Sequence, residues 1–538
     1  MTFFQTTRRY LVSCQLNRLL RREIPLLVIG SGVAGLRAAI EAAEEVDVLV
    51  VTKGKVHQSN TRWAQGGIAT VLDREDSLEA HVADTSQVGA GLVDLSVARK
   101  VVAGGPSALE DLLGWGANFD AAEEGLALTR EGGHSFRRVI HSGGDATGLE
   151  VQRTLVDKAR QSPHIHILED VFVIDLVTDM EGGCCGALVW EGPGRISWIQ
   201  SRATILGAGG AGRMYRETTN PEEATGDGQA MAWRAGATMA DLEFVQFHPT
   251  TLYVPGSQRK LITEAVRGEG AYLRDRNGER FLVPVHPDAE LAPRDVVSRA
   301  ILSSMAECGD THVRLDIRHL DVDQTLNRFP GLARIAEDFQ FDLTREMVPV
   351  RPSAHYFIGG IWTDLQCRSD VPGLYGCGEV TASGLHGGNR LGSNSLLEGL
   401  VLGKEAGAVA RKDLRVLKAI PPRAMKGEEI RGGSGPHLDL MDLRNSLESL
   451  LDRRVGVFRD RVGLEEARER IAAWSRYVHS QVFQNPEGWE MQNLLTLAGL
   501  VVEQAIAREE SRGVHHREDF PNRDDDRFGR RLFIQRKA

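Results

Sequence analysis

The chain has 538 residues, 42% hydrophobic and 26% charged, with 58 glycines and a formal net charge of −10. That length is too great for one simple core and predicts two or three domains of a large globular enzyme. The acidic balance gives no reason to expect nucleic acid, and no apolar run reaches the length of a membrane span; a local basic pocket for an anionic substrate stays open.

The first 22 residues hold five arginines and no acidic residue. Residues 1–23 therefore read as a basic leader, frayed or packed on the surface, with a targeting segment or membrane-surface helix as the alternative. From Pro25 to Ala43 the order is a short apolar strand, a glycine turn and a helix, and V-D-V-L-V-V-T-K follows as a second strand. This is how a doubly wound α/β sheet begins. Helical spacing covers 94–115 and 148–161, an apolar β segment covers 165–177, and 195–212 reads as a hairpin arm feeding a strand and a glycine turn.

After about residue 250 the texture shifts to short mixed elements, as in a second domain folded over the first. V-P-G-L-Y-G-C-G-E-V, from Val371, returns to the strand-plus-glycine pattern, so the nucleotide-binding domain is discontinuous: 24–250 and 351–420, with 251–350 between them. Residues 421–437 fall in a Pro/Gly and charged break, and 438–538 form a mostly helical C-terminal domain. The six cysteines include no C-x-x-C pair, which indicates buried thiols in a reducing, cytoplasmic setting and no metal site.

Gly30-Ser31-Gly32-Val33-Ala34-Gly35 lies between the first strand and helix. Such a turn lets backbone approach a pyrophosphate at a helix start, with Gly30, Ser31, Gly32, Ala34 and Gly35 as the cradle. An acid about 20 positions on normally holds a ribose hydroxyl. Here the strand ends in Thr52-Lys53, where Thr52 offers a weaker hydrogen bond and Lys53 faces phosphate or solvent. The fingerprint alone leaves FAD and NAD both open.

Five further strings narrow the choice: S-N-T-R-W-A-Q-G-G-I, T-G-D-G-Q-A-M-A-W-R-A-G-A, D-L-E-F-V-Q-F-H-P-T, L-A-P-R-D-V-V-S-R-A-I and L-Y-G-C-G-E-V-T-A-S-G-L-H-G-G-N-R-L-G-S-N-S-L-L-E-G-L. In order and spacing they resemble the succinate dehydrogenase/fumarate reductase flavoprotein family, and within it the members that oxidise L-aspartate. The resemblance implies a Rossmann-like FAD-binding domain, an α+β capping domain that closes over it, and a three-helix C-terminal domain.

It also implies a flavin loop of Asn60, Thr61, Ala64, Gln65, Gly66 and Gly67. Respiratory members carry the flavin on a histidine at the position of Asn60, and an amide forms no such bond; His57 is out of register. Non-covalent FAD is therefore expected. Asp227 and Glu379 resemble acids that bind FAD hydroxyls, and turn or helix capping is their plainer reading. Ser395 and Leu396 are expected beside the isoalloxazine, at a helix start.

L-T-R-E-G-G-H-S-F-R-R resembles the string whose acid, here Glu131, faces the substrate amino group. An ammonium needs a negative partner, and succinate gains nothing from one. His248, Thr263, His355 and Arg390 are the candidate contacts for a dicarboxylate, with Glu264 orienting a neighbouring cation. Arg294 matches the family's catalytic arginine, with Asp295 as its partner or as a surface acid. The implied reaction is oxidation of L-aspartate to iminoaspartate on FAD, which oxygen, giving hydrogen peroxide, or fumarate reoxidises. Its product feeds quinolinate synthase on the way to NAD. A succinate or fumarate oxidoreductase and a non-catalytic flavoprotein scaffold are the other readings; Arg512 and His515 are expected to bind interdomain or solvent-facing acids.

Overall fold

The computed structural model describes residues 7–13, 16–123, 125–257, 259–418 and 438–536. The expected linker at 421–437 lies outside the described residues, as do Cys14 and the first six positions.

Leu26–Ile29 run parallel to Val48–Val51 on one side and to Ala203–Leu206 on the other. Leu26 and Val28 join one hydrophobic cluster while Leu27 and Ile29 join another, so the strand's two-residue period buries both faces. That explains its unbroken apolar sequence. The complete sheet runs Ile165–Leu168, Val48–Val51, Leu20–Ile29, Ile196–Leu206, Cys184–Trp190, Phe172–Thr178, with Leu374–Gly376 also on Ile196–Leu206. The last pairing, Leu374 to Thr204, joins chain from both sides of the inserted residues.

Three local expectations change. The 165–177 segment is two strands broken at Glu169–Val171, because its halves pair at opposite edges of the sheet. The 196–206 segment is one strand of 11 residues, antiparallel to Cys184–Trp190 at its start and parallel to its other neighbours. The basic leader is not separate from the sheet: pairing begins at Leu20. Tyr10, Leu11, Val12 and Leu16 are buried against Trp198 and Trp489, so apolar anchoring outweighs the arginines between them.

Between 245 and 357 an antiparallel sheet runs Val245–Leu252, Val348–Phe357, Val313–Asp316, Tyr272–Arg274. Its residues and the Arg294–Cys308 helix share a third hydrophobic cluster, Leu252 to Val350. Helices Leu440–Arg454, Arg461–Val478 and Pro486–Ala507 pack into the cluster beneath the parallel sheet. No described helix is long and apolar enough to cross a membrane. Among the described cysteines four are buried and Cys308 is partly so.

Candidate active site

A cavity of about 1120 Å³ opens at the carboxyl ends of the parallel strands, beyond the usual size of a small-molecule site. Its wall takes in every residue expected to hold cofactor or substrate except Gly35. Gly30 has φ +108°, and a Cβ there would lie 2.2 Å from the Gly207 carbonyl oxygen. Gly35 serves packing instead: a Cβ on it would lie 2.1 Å from the Gly30 carbonyl oxygen, so glycine lets the helix close on the turn.

The Ser31 and Thr52 hydroxyls share a 2.9 Å hydrogen bond. Lys53 lines the cavity and turns its ammonium into an ion-pair cluster. Its Nζ donates to Thr225 at 2.7 Å and Asp227 at 3.0 Å, and pairs with Glu490 from the C-terminal helices. Burial works against this ammonium, but Asp227 and Glu490 outweigh it and raise its pKa. Asp227 is spent in the same contacts, since its carboxylate also accepts from Thr225 and from Asn493 at 2.6 Å.

Glu379 likewise braces protein. Its carboxylate accepts from Asn60 Nδ2 at 3.1 Å and from the Phe357 N–H at 2.9 Å, and burial pushes it up to about 6. Thr61 Oγ1 accepts the Val33 N–H at 2.9 Å, tying the flavin loop to the fingerprint helix. Asn60 Oδ1 and Gln65 Oε1 are buried without a hydrogen-bond partner. Ala64, Gly66 and Gly67 complete that wall, and Ser395 and Leu396 line the cavity at the first turn of the 20-residue Asn394–Asp413 helix. Its uncapped N-terminus is a positive end. The cavity's volume, the orphaned amide oxygens and this helix end fit FAD.

The far end is built around Gln246. Its Oε1 accepts from Arg294 at 3.2 Å and from Arg390 at 3.1 Å, while its Nε2 donates to Asn389 Oδ1 and the Arg390 carbonyl, both at 2.8 Å. The amide thus holds two guanidinium groups side by side. Arg294 also donates to Glu264 at 2.7 Å, and Glu264 lies 3.7 Å from Arg267. Burial and the nearby Arg294 bring Arg390 down to about 10, and its Nη1 donates to Ser395 at 2.7 Å. Asp295 does not pair with Arg294; it binds Arg299 and Asn389.

His248 and His355 face each other edge-on, ring centroids 5.2 Å apart. Burial, then the neighbouring arginines, lowers both well below the usual histidine value, so both are neutral. His248 Nδ1 accepts the Thr250 N–H at 3.3 Å, which leaves Nε2 as its proton-bearing nitrogen. Thr263 caps the short Glu264–Gly268 helix and lines the cavity. Glu131 is buried, its Oε2 accepting from Ser393 at 2.7 Å and its Oε1 without a hydrogen-bond partner. The sequence reading passed over Gln246 and Ser393, although each sits inside a quoted string: a Gln in an apolar strand was the available signal for the first. Arg512 and His515 lie away from the cavity wall, Arg512 on Glu510 and Asp525, and His515 on Arg459 rather than on an acid.

The geometry agrees with what known proteins share with this chain. The FAD binding domain family matches residues 26–396, and the fumarate reductase flavoprotein C-terminal family matches 444–538. L-aspartate oxidase of Streptomyces coelicolor is 42% identical over 95% of this chain and 91% of its own. L-aspartate oxidase 1 of Ralstonia nicotianae is 43% identical over 92% of this chain and 95% of its own. Among solved structures, a chain of the E. coli quinol fumarate reductase FrdA superimposes with a TM-score of 0.88 at 31% identity, covering 96% of this chain and 94% of that one. The chain belongs to the L-aspartate oxidases of the succinate dehydrogenase/fumarate reductase flavoprotein family.

Proposed function

We infer that this chain oxidises L-aspartate to iminoaspartate, the first step of NAD biosynthesis by way of quinolinate. One observation carries the choice of substrate: Glu131, a buried carboxylate with an unpartnered Oε1, shares the cavity wall with Arg294, Arg390 and the neutral His248 and His355. Cations suit the two carboxylates of a dicarboxylic acid, and a buried carboxylate oxygen still open to a donor suits an ammonium between them.

Bound in the cavity, FAD would supply the two-electron acceptor for the Cα hydride, with oxygen, giving hydrogen peroxide, or fumarate as the terminal acceptor. The protein supplies position and charge. Arg390, Thr263, His248 and His355 hold the carboxylates, with the histidines donating through neutral rings. Glu131 Oε1 accepts from the substrate ammonium and draws its nitrogen into place. Arg294 is fixed from two sides by Glu264 and Gln246, so its guanidinium enters the reaction already aimed. Glu264 accepts the charge of both Arg294 and Arg267, which keeps the carboxylate ionised despite burial.

The cofactor is held non-covalently, because Asn60 offers no ring nitrogen for attachment. A reducing cytoplasm suits a chain whose six cysteines include no C-x-x-C pair, and an unstable imine product suits delivery to quinolinate synthase nearby. Residues 251–350 act as a closing cap, which limited proteolysis with and without a dicarboxylate would reveal as ligand-dependent cleavage. The direct test is anaerobic bleaching of the oxidised flavin band. L-Aspartate should bleach it rapidly and succinate should not; bleaching by succinate alone would overturn the amino acid reading. Acid precipitation should leave the flavin in the supernatant.

A further inference from the structure

Ser393 occupies the N-cap position of the Asn394–Asp413 helix, where a serine ordinarily accepts an N–H from its own first turn. It makes no such bond. Its backbone is left-handed, φ +62° and ψ 0°, a costly conformation for a residue with a Cβ. The Ala69 N–H donates to its carbonyl at 3.1 Å and fixes the turn. The hydroxyl points across the cavity wall and donates to Glu131 Oε2 at 2.7 Å.

Its neighbour Gly392 gives this contact its room. A Cβ on Gly392 would stand 2.9 Å from Glu131 Oε2 and 3.2 Å from Arg294 Nη2. Acid and guanidinium therefore approach the same small space over a residue without a side chain. The nearest other cationic candidate, His141 Nε2, is 3.9 Å from Glu131 Oε1, and burial keeps that ring from charging. Thr129 Oγ1 lies 2.8 Å from the same His141 nitrogen, so the ring already has a hydrogen-bond partner. Ser393 is then the direct hydrogen-bond donor to the Glu131 side chain among the described residues.

We propose that Ser393 is a positioning residue for amino-acid specificity: its hydroxyl pins one oxygen of Glu131 so that the other meets the substrate ammonium. This rests on the reading of Glu131 given above. The strained turn gives up a helix cap to hold the acid in place. Without the hydroxyl, Glu131 turns within its space and the ammonium loses an aligned acceptor, while ligands lacking an ammonium are indifferent.

The test compares Ser393→Gly, Ser393→Ala and the parent holoenzyme. Glycine suits the left-handed backbone better than serine, so a loss in that variant comes from the hydroxyl and not from strain. Both variants should raise the KM for L-aspartate roughly tenfold, the scale of one hydrogen bond to a charged group, with a smaller change in kcat. Fumarate reduction by the same variants should stay within about twofold of the parent. Calorimetry on dithionite-reduced holoenzyme should show the same loss for L-aspartate and none for succinate.

A parental KM for L-aspartate in Ser393→Gly, or equal losses for aspartate and fumarate, would overturn the proposal and leave the enzyme's activity intact. A parent that does not turn over L-aspartate while still reducing fumarate would overturn the reading of Glu131 and the role of Ser393 with it.

Discussion

Two groups of buried arginines in this molecule have opposite fates. Arg508 and Arg512, where the last residues meet the sheet and its neighbours, have their donors consumed. Arg508 reaches Glu243, Glu510 and the carbonyls of Phe528 and Arg530; Arg512 reaches Glu510, Asp525 and the Ala90 carbonyl. Carboxylates outweigh burial and raise Arg512 above its ordinary value. Arg390, at the cavity, is held by an amide and a hydroxyl, and among the described residues no carboxylate lies within ion-pair distance. Burial and Arg294 lower it to about 10. The difference separates an arginine that finishes a fold from one that awaits an anion. A buried cation lacking a carboxylate costs stability, and a dicarboxylate ligand supplies what the protein withholds.

The comparison is broken most directly by truncating an arginine at the cavity and one at the C-terminal end. Arg294→Leu should lower kcat for L-aspartate roughly a thousandfold while the purified protein keeps FAD, and its melting temperature should fall because Glu264 is left buried with Arg267 alone. A tenfold loss or less, measured by oxygen uptake, would remove Arg294 from the chemistry. Arg508→Leu should cost stability alone. It leaves Glu243 and Glu510 buried with fewer partners, at a cost of about 3–5 kcal/mol in denaturant unfolding, with parental turnover per FAD-loaded molecule.

Asp452 sharpens the contrast through pH. Burial, reinforced by Glu217, pushes its carboxyl up to about 7. The folded protein keeps a proton there that the unfolded chain releases near pH 4. Its contribution is fullest below that and is lost as pH rises toward 7, on the order of 2–4 kcal/mol. Asp452→Asn should flatten this part of the stability profile measured by thermal melts; an unchanged slope would show that the carboxyl is ionised throughout. The smallest effect belongs to Gln246→Glu. A carboxylate between Arg294 and Arg390 competes with the substrate, so KM for L-aspartate should rise about tenfold, and an unchanged KM would mean that Gln246 is mere packing.

The reading of individual residues reaches furthest where chemistry is local. The fingerprint turn, Asn60, Glu131, His248, His355, Arg294 and Arg390 all line one cavity. It says less where a side chain has two polar options. Lys53 and Asp227 stand 174 positions apart, and nothing local says that they satisfy each other with help from Glu490. Glu379 bears the same lesson, since the Phe357 N–H and Asn60 that take up its oxygens come from distant segments.

What the sequence determined by itself was the repeating local physics: a two-residue apolar period for a strand buried on both faces, glycine where backbone must come close, helices spaced along the C-terminal third. It also carried the order of the motif strings, and with it the family. Tertiary structure alone decided which charges cancel. That is because an ion pair depends on distances of a few ångströms between residues hundreds of positions apart, and on burial that removes water as the alternative partner. Gln246 between two arginines, and Ser393 giving up its helix cap for Glu131, exist only once the chain has closed around the cavity.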